Sequence, residues 1–504
     1  MTMNELLPLA VLASSLVPGL VIFFLPETRI GTRTTLNLFG AVAKLALVGS
    51  LLVGVQAGQE YVVRFAVLPG NDLALKADSL ALLFVTLSAL LWLFTTIYAI
   101  GYLENAPHRS RFFGFFSLCV TATMGIAMAA NLFTFFVFYE LLTLSTYPLI
   151  VHRGTGKALR AGSVYVAYTL AGSTLLLIGI VWLQSLLGHT EFTQGGALSR
   201  VPVGSGTQLN AIFALLIAGV GVKAALVPLH GWLPEAMAAP APVSALLHAV
   251  AVVKAGAFGI VRIVYEIYGV ELAQSRGLLA PLAVVASATI IWGSVRALAQ
   301  DDLKRRLAFS TVSQVSYIAL GVGLFGPIGT VGGLVHLVHQ GIMKVTLFFC
   351  AGNFAETLGI HRVSDLDGVG RRMPLSTIAF SVAALGMMGA PLTAGAVSKA
   401  WLSDGAKAAG MDWAVWVLWT SSLLNAAYFL PILWRAWVRP PPPKWPEEHI
   451  AAVGWRETAW LLLLPPLFTA AATVSAGVFA QTDLSPLGWA RLIAAREYLN
   501  GAAP

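Results

Sequence analysis

Five lysines and one glutamate lie inside long apolar stretches of this 504-residue chain. They are Lys44, Lys223, Lys254, Lys344, Lys399 and Glu140. A charge at the centre of a membrane helix costs about 2.5–3.5 kcal/mol on insertion scales, so several together require an explanation. Because buried amines and carboxylates can take up and release protons, we predict proton transfer within a membrane, with static ion pairs inside a helix bundle as the alternative.

Glu140 lies in the stretch FVFYELLTLS, too deep for its short side chain to reach a lipid headgroup. It is about nine residues, or roughly 13 Å at 1.5 Å per residue, from either end of its predicted helix. Lys223 has a similar depth in a later apolar stretch, and Glu140 is the most economical partner for it. Making and breaking this pair would change the proton affinity of the site, so we predict a protonation switch. A static bridge is the alternative.

One apolar stretch, GGLVHLVHQGIMKVTLFFCAG, carries a polar stripe. His336, His339, Gln340, Met343 and Lys344 follow the i, i+3, i+4, i+7, i+8 spacing of a single helix face. Histidine and glutamine side chains can pass protons through neighbouring water molecules. The stripe therefore predicts a proton relay across the bundle, with a hydrogen-bonded packing seam as the alternative.

The remaining buried groups occupy three other stretches. Lys254 and His248 share one predicted helix and, six residues apart, would lie about 120° apart around it. They could border one hydrated cavity, although a lone histidine is often only a packing residue. Lys399 follows a helix break at Pro391. Lys44 lies only about eight residues into its predicted helix, close enough to the end for its amine to reach the membrane surface, and we predict a structural role for it.

Membrane helices must position these groups. Hydrophobic residues make up 57% of the chain and charged residues 11%, against roughly 25% charged in soluble proteins. Apolar windows of about 20 residues, the length that crosses a bilayer, recur throughout. We predict an all-α polytopic membrane protein with about fourteen transmembrane helices, the first retained and not cleaved as a signal peptide. The windows are residues 5–25, 36–56, 79–101, 112–129, 131–151, 161–187, 209–229, 242–266, 278–298, 306–325, 328–354, 374–403, 413–437 and 457–480.

The loop charges give an orientation. With both termini outside, eighteen Lys and Arg residues fall on the cytoplasmic side and eight outside, as the positive-inside rule requires. The outer residues are Arg64, Lys76, Arg200, Arg262, Arg276, Lys407, Arg491 and Arg496. The net charge of +8 is dispersed over short loops, so we predict no nucleic-acid partner. Cys119 and Cys350 are far apart and lack metal or redox spacing, and we predict no metal site.

Two segments interrupted by proline and glycine, around Pro228–Pro242 and Pro391–Gly395, lie about five predicted helices apart. Such breaks are typical of inverted repeats with ion sites near the interruptions. We predict an N-terminal segment (1–104), two inverted five-helix repeats (105–268 and 269–440), each containing a broken helix, and a C-terminal segment (441–504). That last segment ends in an amphipathic tail, LSPLGWARLIAAREYLN, that would lie along the membrane surface or a neighbour.

Four stretches carry a resemblance to a known family. They are KAALVPLHGWLPEAMAAPAPVSALLHA, ALAQDDLKRRLAFSTVSQVSY, HLVHQGIMKVTLFFCAG and FVFYELLTLSTYPLI. Together they resemble the antiporter-like subunits of respiratory complex I and of Mrp-type cation/proton antiporters. The resemblance is strongest to the D-type component of Mrp antiporters and to similar subunits of membrane-bound hydrogenases, and it extends from about the third to the thirteenth predicted helix.

The resemblance implies roles for the buried groups. Glu140 and Lys223 would form the switch pair, and Lys254 would be the central proton-binding lysine. The hydrophilic axis would consist of His248, His336 and Lys344, to which the polar stripe adds His339. Lys399 would end the second half-channel, where family members carry either Lys or Glu. The stretch APLTAGAVSK departs from the consecutive prolines and Gly-Phe often found at this break.

The resemblance also implies a subunit without a bound cofactor, inside a multisubunit complex in a bacterial or archaeal plasma membrane. Its partners would be the lipid bilayer, other membrane subunits, protons and Na⁺. Cation/proton antiport of the Mrp type is the predicted activity. There are three alternatives: the proton-pumping arm of a redox-driven complex, a self-sufficient solute transporter, and an adaptor subunit that has lost transport. Only the first would make the chain part of an enzyme.

Overall fold

A computed structural model describes residues 3–68, 71–104, 106–200, 206–448 and 452–498. The first half contains α1 (Met3–Phe23), α2 (Ile30–Gln56), β1 (Tyr61–Leu68), β2 (Asn71–Ala77), α3 (Ser79–Tyr102), α4 (Arg109–Met128), α5 (Leu132–Ile150), α6 (Gly156–Leu187), α7 (Gly206–Lys223), α8 (Trp232–Glu235), α9 (Ala241–Ala245), α10 (Val252–Arg262) and α11 (Val270–Ser275). The second half contains α12 (Leu279–Leu298), α13 (Leu303–Gly323), α14 (Pro327–Leu358), α15 (Val369–Arg372), α16 (Pro374–Met388), α17 (Ala394–Ala408), α18 (Asp412–Trp437), α19 (Trp460–Val478) and α20 (Pro486–Glu497).

The prediction of an all-α polytopic membrane fold is confirmed. Within the described residues, twelve helical segments are long and apolar enough to cross a membrane, one of them running from Ala241 to Tyr268. The other two predicted windows coincide with α13, which has 21 residues, and with the pair α16 and α17, which have 15 residues each. The count of fourteen crossings, the inverted repeats and the segment boundaries remain predictions. The termini, residue 105 and the end of the predicted tail (Leu499 and Asn500) lie outside the described residues.

One element was not predicted. The strands β1 and β2 form an antiparallel hairpin that pairs Tyr61 with Ala77. The stretch YVVRFAVL is rich in the β-branched and aromatic residues that favour strands. Asn131, at the start of α5, donates to the carbonyl of Asp72, so the hairpin is attached to the end of a membrane helix.

Both predicted helix interruptions are present as breaks in the helical backbone. The helix α7 ends at Lys223, six residues earlier than the predicted window (209–229), because the chain turns at Ala225 with a φ of 56°. The second break separates α16 from α17, where Gly389 and Leu392 have φ values of 93° and 64°. Lys223 therefore ends a broken helix, and Lys399 lies in the helix that follows the other break.

The helix that carries His248 and Lys254 is irregular between them. Leu246–Val250 is a π-helical turn, and the Ala251 N–H donates to the Leu246 carbonyl, five residues back. A π-bulge inserts an extra residue into a helix and rotates the side chains that follow it. The angle of 120° predicted for these two side chains assumed a regular helix and does not hold across the bulge.

The helix α14 lies at the centre of the protein. It packs against α13, α16, α17, α19 and α20, and its apolar window is completely buried. The segment Ala241–Tyr268 is buried to the same extent. These two segments carry His248, Lys254 and the polar stripe, so the predicted relay residues are shielded from lipid.

Gly256 allows α10 to approach the backbone at the end of α7 closely. A Cβ atom added at Gly256 would lie 2.1 Å from the backbone nitrogen of Ala224 and 2.6 Å from the carbonyl carbon of Lys223. We expect Gly256→Ala to destabilise the protein by about 3 kcal/mol or more, since the colliding atoms belong to the backbone. The thermal transition of the detergent-extracted protein measures this loss.

Gly49→Ala is the matched control. Nothing lies within 4 Å of a Cβ atom at Gly49, which is also helical. We expect this variant to match or slightly exceed the wild-type stability, because alanine favours helix by about 1 kcal/mol over glycine. Equal thermal transitions for Gly256→Ala and the wild type would contradict the close approach of the two segments.

Candidate functional site

The predicted ion pair between Glu140 and Lys223 is not formed in the structure. Lys223 is fully buried, donates to the backbone carbonyl of Tyr139, and lies 3.3 Å from the centre of the Tyr139 ring. Glu140 instead accepts a hydrogen bond from Ser173 on α6. Tyr139 and Glu140 are consecutive on α5 and therefore point in directions about 100° apart. The lysine occupies the tyrosine face, and the carboxylate turns to the neighbouring helix.

Lys254 occupies the centre of the protein without a charged partner. Its Nζ atom donates to the Leu337 carbonyl at 2.6 Å and to Oε1 of Gln340, and the side chain is fully buried. Among the described residues, no carboxylate forms an ion pair with it. Neutral acceptors leave an ammonium free to lose a proton without abandoning a buried anion, which is what a transient proton-binding site requires.

The polar stripe is present on α14, but its members face three different helices. Gln340 contacts α10 through Lys254, and His336 shares a hydrogen bond of 2.9 Å with Ser398 on α17. Lys344 donates to Ser310 Oγ on α13 at 2.6 Å. The stripe therefore bonds to three neighbouring helices, α10, α17 and α13, and not to one helix along its length.

Among the described residues, two histidines in this region have neither ring nitrogen in a hydrogen bond, and His336 has one such nitrogen, Nε2. Both nitrogens of His248 and both of His339 are buried and lack a hydrogen-bond partner within the described part of the chain. The His248 ring lies 4.5 Å from the ring of Phe348. Buried polar atoms are normally bonded to protein or water, so these nitrogens mark positions for bound water, and the relay remains a prediction.

Lys399 lies at the far end of the site. It donates to the carbonyls of Met387 at 2.8 Å and Met388 at 3.2 Å, which the helix break leaves without helical partners, and to Ser422 at 3.0 Å. Its Nζ atom is 5.7 Å from the centre of the Tyr317 ring, and that ring stacks on His336 at 4.9 Å. Tyr317 therefore contacts both the stripe and the terminal lysine.

Lys44 does not snorkel. It is fully buried, donates to Ser15 at 2.6 Å, and lies 4.9 Å from the centre of the Trp92 ring. None of these contacts joins it to the other buried lysines. Its length lets it bind Ser15 inside the bundle instead of extending to the surface.

Arg262, which the charge count placed on the outer side, is a buried residue at the end of α10. It forms ion pairs with Asp78 at 2.9 Å and with Glu266. A cavity of about 360 Å³ is lined by both carboxylates together with Glu497 of α20. Burial and the nearby carboxylates of Glu266 and Asp78 raise the pKa of Glu497 to about 8. Lys76, Glu60 and Arg496 line the same cavity.

We expect the docking of α20 to depend on pH. The docked pKa of Glu497 is raised from its usual value of 4.5, so the protonated form favours docking. Docking is strongest below pH 4.5, weakens as the pH rises through the interval between the two pKa values, and is weakest above about pH 8. Hydrogen exchange of the backbone amides in 486–497, corrected for intrinsic rates, measures it across this range. Glu497→Gln should flatten the profile, and an unchanged profile in that variant would contradict the assignment.

The site also contains residues that the sequence patterns did not single out. They are Ser310, Gln314 and Tyr317 on α13 and Ser421, Ser422, Asn425 and Tyr428 on α18. Their signal was present as polar residues spaced three or four apart in FSTVSQVSY and SSLLNAAY. Among the described residues, no three His, Cys, Asp or Glu side chains form a metal-binding group.

The fold and the buried site define a polytopic membrane protein with a central row of titratable groups. Residues 129–425 match the family model described as the NADH:quinone oxidoreductase/Mrp antiporter transmembrane region. Residues 70–113 match the N-terminal region of chain 5 of NADH-ubiquinone oxidoreductase, complex I. The chain therefore belongs to this family of antiporter-like membrane subunits, which confirms the resemblance inferred from the sequence motifs.

Individual relatives agree with this assignment. NADH-quinone oxidoreductase subunit N of Desulforudis audaxviator is 34% identical over 83% of this chain and 84% of its own length. A chain in the structure of the Mrp complex from Dietzia sp. DQ12-45-1b is 26% identical, with a TM-score of 0.87 over 99% of this chain and 98% of that one. A chain of an archaeal membrane-bound sulfane sulfur reductase shares the fold, with a TM-score of 0.83 over 98% of this chain and 97% of that one, at 23% identity.

Proposed function

We propose that this chain moves protons as the antiporter-like subunit of a multisubunit membrane complex, and that the complex is an Mrp-type Na⁺/H⁺ antiporter. The observation that carries the proposal is Lys254, a fully buried lysine held only by neutral acceptors at the centre of the protein. The similarity to the Dietzia Mrp complex over almost the whole of both chains favours the Mrp type.

Protons would enter from the cytoplasmic side near Glu140 and Lys223. In the geometry described, Lys223 is held by Tyr139, so Glu140 is free to exchange a proton with its surroundings through Ser173. From there protons would reach Lys254, and the α14 stripe would pass them to Lys399. Protonating one site would lower the proton affinity of the next by repulsion between like charges, which drives the movement.

The proposed relay includes His248, His336, His339 and Lys344. His336 shares a hydrogen bond with Ser398, which is the residue beside Lys399 in the chain. Lys344 lies about two helical turns beyond His336 along α14. The proposed arrangement has inverted repeats over 105–268 and 269–440, with both termini outside a bacterial or archaeal plasma membrane. In support, each half contains one helix break with a lysine beside it, Lys223 before the first break and Lys399 after the second.

A redox-driven complex is the second candidate. It is favoured by the similarity to the Desulforudis NADH-quinone oxidoreductase chain, over more than four-fifths of both chains. The two candidates predict different partners, since an Mrp-type antiporter requires only membrane subunits and a redox-driven machine requires electron carriers.

Purification from native membranes in mild detergent, followed by mass spectrometry of the partners, tests the proposal. Small hydrophobic subunits without redox proteins, together with Na⁺-dependent proton release from inverted vesicles, are the expected result. Partners that carry iron–sulfur clusters or nickel would move the chain to the redox-driven class. A single active chain without partners would contradict the assignment to a complex.

A further inference from the structure

One face of α18 carries polar residues that the proposed relay does not use. Ser422, Asn425 and Tyr428 are spaced three residues apart and therefore follow one side of the helix. Asn425 and Tyr428 are fully buried. Ser422 accepts a hydrogen bond from Lys399. Polar side chains inside an apolar bundle need hydrogen-bond partners. This face of α18 finds its partners near Lys344 at one end and near Lys399 at the other.

At one end, this face is bonded to Lys344. The Lys344 Nζ atom is 2.6 Å from Ser310 Oγ, which is 2.8 Å from the hydroxyl oxygen of Tyr428. The Tyr428 hydroxyl in turn donates to Oδ1 of Asn425. An ammonium group only donates hydrogen bonds, so Ser310 accepts from Lys344. Because the single hydroxyl hydrogen of Tyr428 is bonded to Asn425, Ser310 is the donor in its bond to Tyr428. All three bonds therefore point away from Lys344.

At the other end, the same face is bonded to the carbonyl that holds Lys399. Asn425 Nδ2 donates to the Met387 carbonyl at 3.2 Å, and Lys399 Nζ donates to this carbonyl at 2.8 Å. Lys399 also donates to Ser422, one turn from Asn425 along α18. A continuous series of hydrogen bonds therefore joins Lys344 to the helix break at Lys399 without passing through a histidine.

Unpaired polar atoms lie along this series. The Ser421 hydroxyl, the Tyr317 hydroxyl and both amide atoms of Gln314 are buried without a well-formed hydrogen bond among the described residues, although Ser421 and Gln314 lie near the Tyr317 hydroxyl. Gln314 and Tyr317 follow Ser310 on α13 at i+4 and i+7 and so share its face. Such atoms are where bound water would extend the series from Tyr428 to Lys399.

We propose that Ser310 and Tyr428 carry protons between Lys344 and Lys399, along a route separate from the contact between His336 and Ser398, and that Asn425 is the positioning residue that orients Tyr428. The Lys344 ammonium gives a proton to Ser310 while the Ser310 hydrogen passes to Tyr428. The Tyr428 hydrogen, after turning away from Asn425 Oδ1, then leaves through water to Lys399, which must already have released its own proton. Each hydroxyl ends with one hydrogen, so only a positive charge has moved. This inference rests on the proposed function.

The test uses the whole complex in inverted membrane vesicles, with the rate of proton transport followed by quenching of a pH-sensitive dye. We expect Tyr428→Phe and Ser310→Ala to slow transport by at least about tenfold at unchanged abundance of the complex, the size expected when a proton-transfer group is lost. Ser310→Thr, which keeps the hydroxyl, should restore most of the rate. Tyr265→Phe is the control, since it removes a buried hydroxyl that bonds Thr330 at 2.9 Å, outside the route.

Double variants separate a route from a packing effect. In a Lys344→Ala background, Tyr428→Phe should cause no further loss, whereas in a His336→Ala background it should slow the remaining transport again. Equal losses in Ser310→Ala and Ser310→Thr, or a Tyr428→Phe rate within about twofold of wild type, would overturn the route. A Lys254→Met variant measured in the same assay distinguishes failure of this route from failure of the proposed function. If that variant transports normally, the proposed function itself is wrong.

Discussion

We expect replacement of Lys254 by methionine to abolish proton transport while the complex stays assembled, and this is the largest effect that we predict. Lys254 is the buried ammonium that Gln340 and the Leu337 carbonyl hold at the centre of the protein. Methionine retains much of the side-chain volume, so α10 should still pack, but it cannot bind a proton. Dye-quenching assays in inverted vesicles should show a loss of about a hundredfold or more, and gel filtration should show the intact complex.

Lys44→Met is the matched control, because it makes the same change at another fully buried lysine. Lys44 bonds Ser15 at 2.6 Å and lies 4.9 Å from the centre of the Trp92 ring, and neither residue belongs to the proposed relay. We expect transport by the assembled Lys44→Met complex to remain within about twofold of wild type. A Lys254→Met complex that transports normally would remove the central claim of the mechanism.

The second large effect concerns the charge at Lys399. Glutamate should not replace lysine at this position, although the resemblance noted from the sequence implies that either residue can occur there. Lys399 donates to the carbonyls of Met387 and Met388, and these atoms accept but never donate. An ionised carboxylate at the same place would face two carbonyl oxygens, and of the present partners of Lys399 only the Ser422 hydroxyl could donate to it. We expect Lys399→Glu to lower transport by at least about tenfold in the vesicle assay.

Lys407→Glu provides the control for this charge reversal. Lys407 lies on the same helix, its side chain is 61% exposed, and it pairs with Asp404 at the surface. Surface ion pairs contribute little, so this variant should assemble and transport as the wild type does. Equal rates for Lys399→Glu and Lys407→Glu would show that the carbonyls at the break do not select a cation.

The central residues of the site could be predicted because charge in an apolar helix is expensive. The cost of burying Lys254 and Lys344 makes them visible in the sequence, and the spacing from His336 to Lys344 places the stripe on one helix. Proline and glycine marked both helix breaks for a similar reason, since they release backbone groups that lipid cannot satisfy. These signals are local and do not require knowledge of neighbouring helices.

The partners of these residues could not be predicted. Whether Glu140 bonds Lys223 or Ser173 depends on how α5 turns against α6 and α7, which the sequence does not state. The π-bulge at Ala251 depends on one hydrogen bond to the carbonyl five residues back. Residues such as Ser310 and Tyr428 are inexpensive to bury when bonded, so their presence in an apolar helix gives little warning.

The length of α14 has a consequence for the response of this protein to its membrane. Its 32 residues span roughly 48 Å, well beyond a hydrocarbon layer of about 30 Å. Because the apolar window of α14 is enclosed by other helices, the thickness of the bilayer acts on its neighbours and not on α14 itself. Changes in acyl-chain length should therefore tilt the peripheral helices α1 and α2 and leave the spacing of His336, Gln340 and Lys344 unchanged.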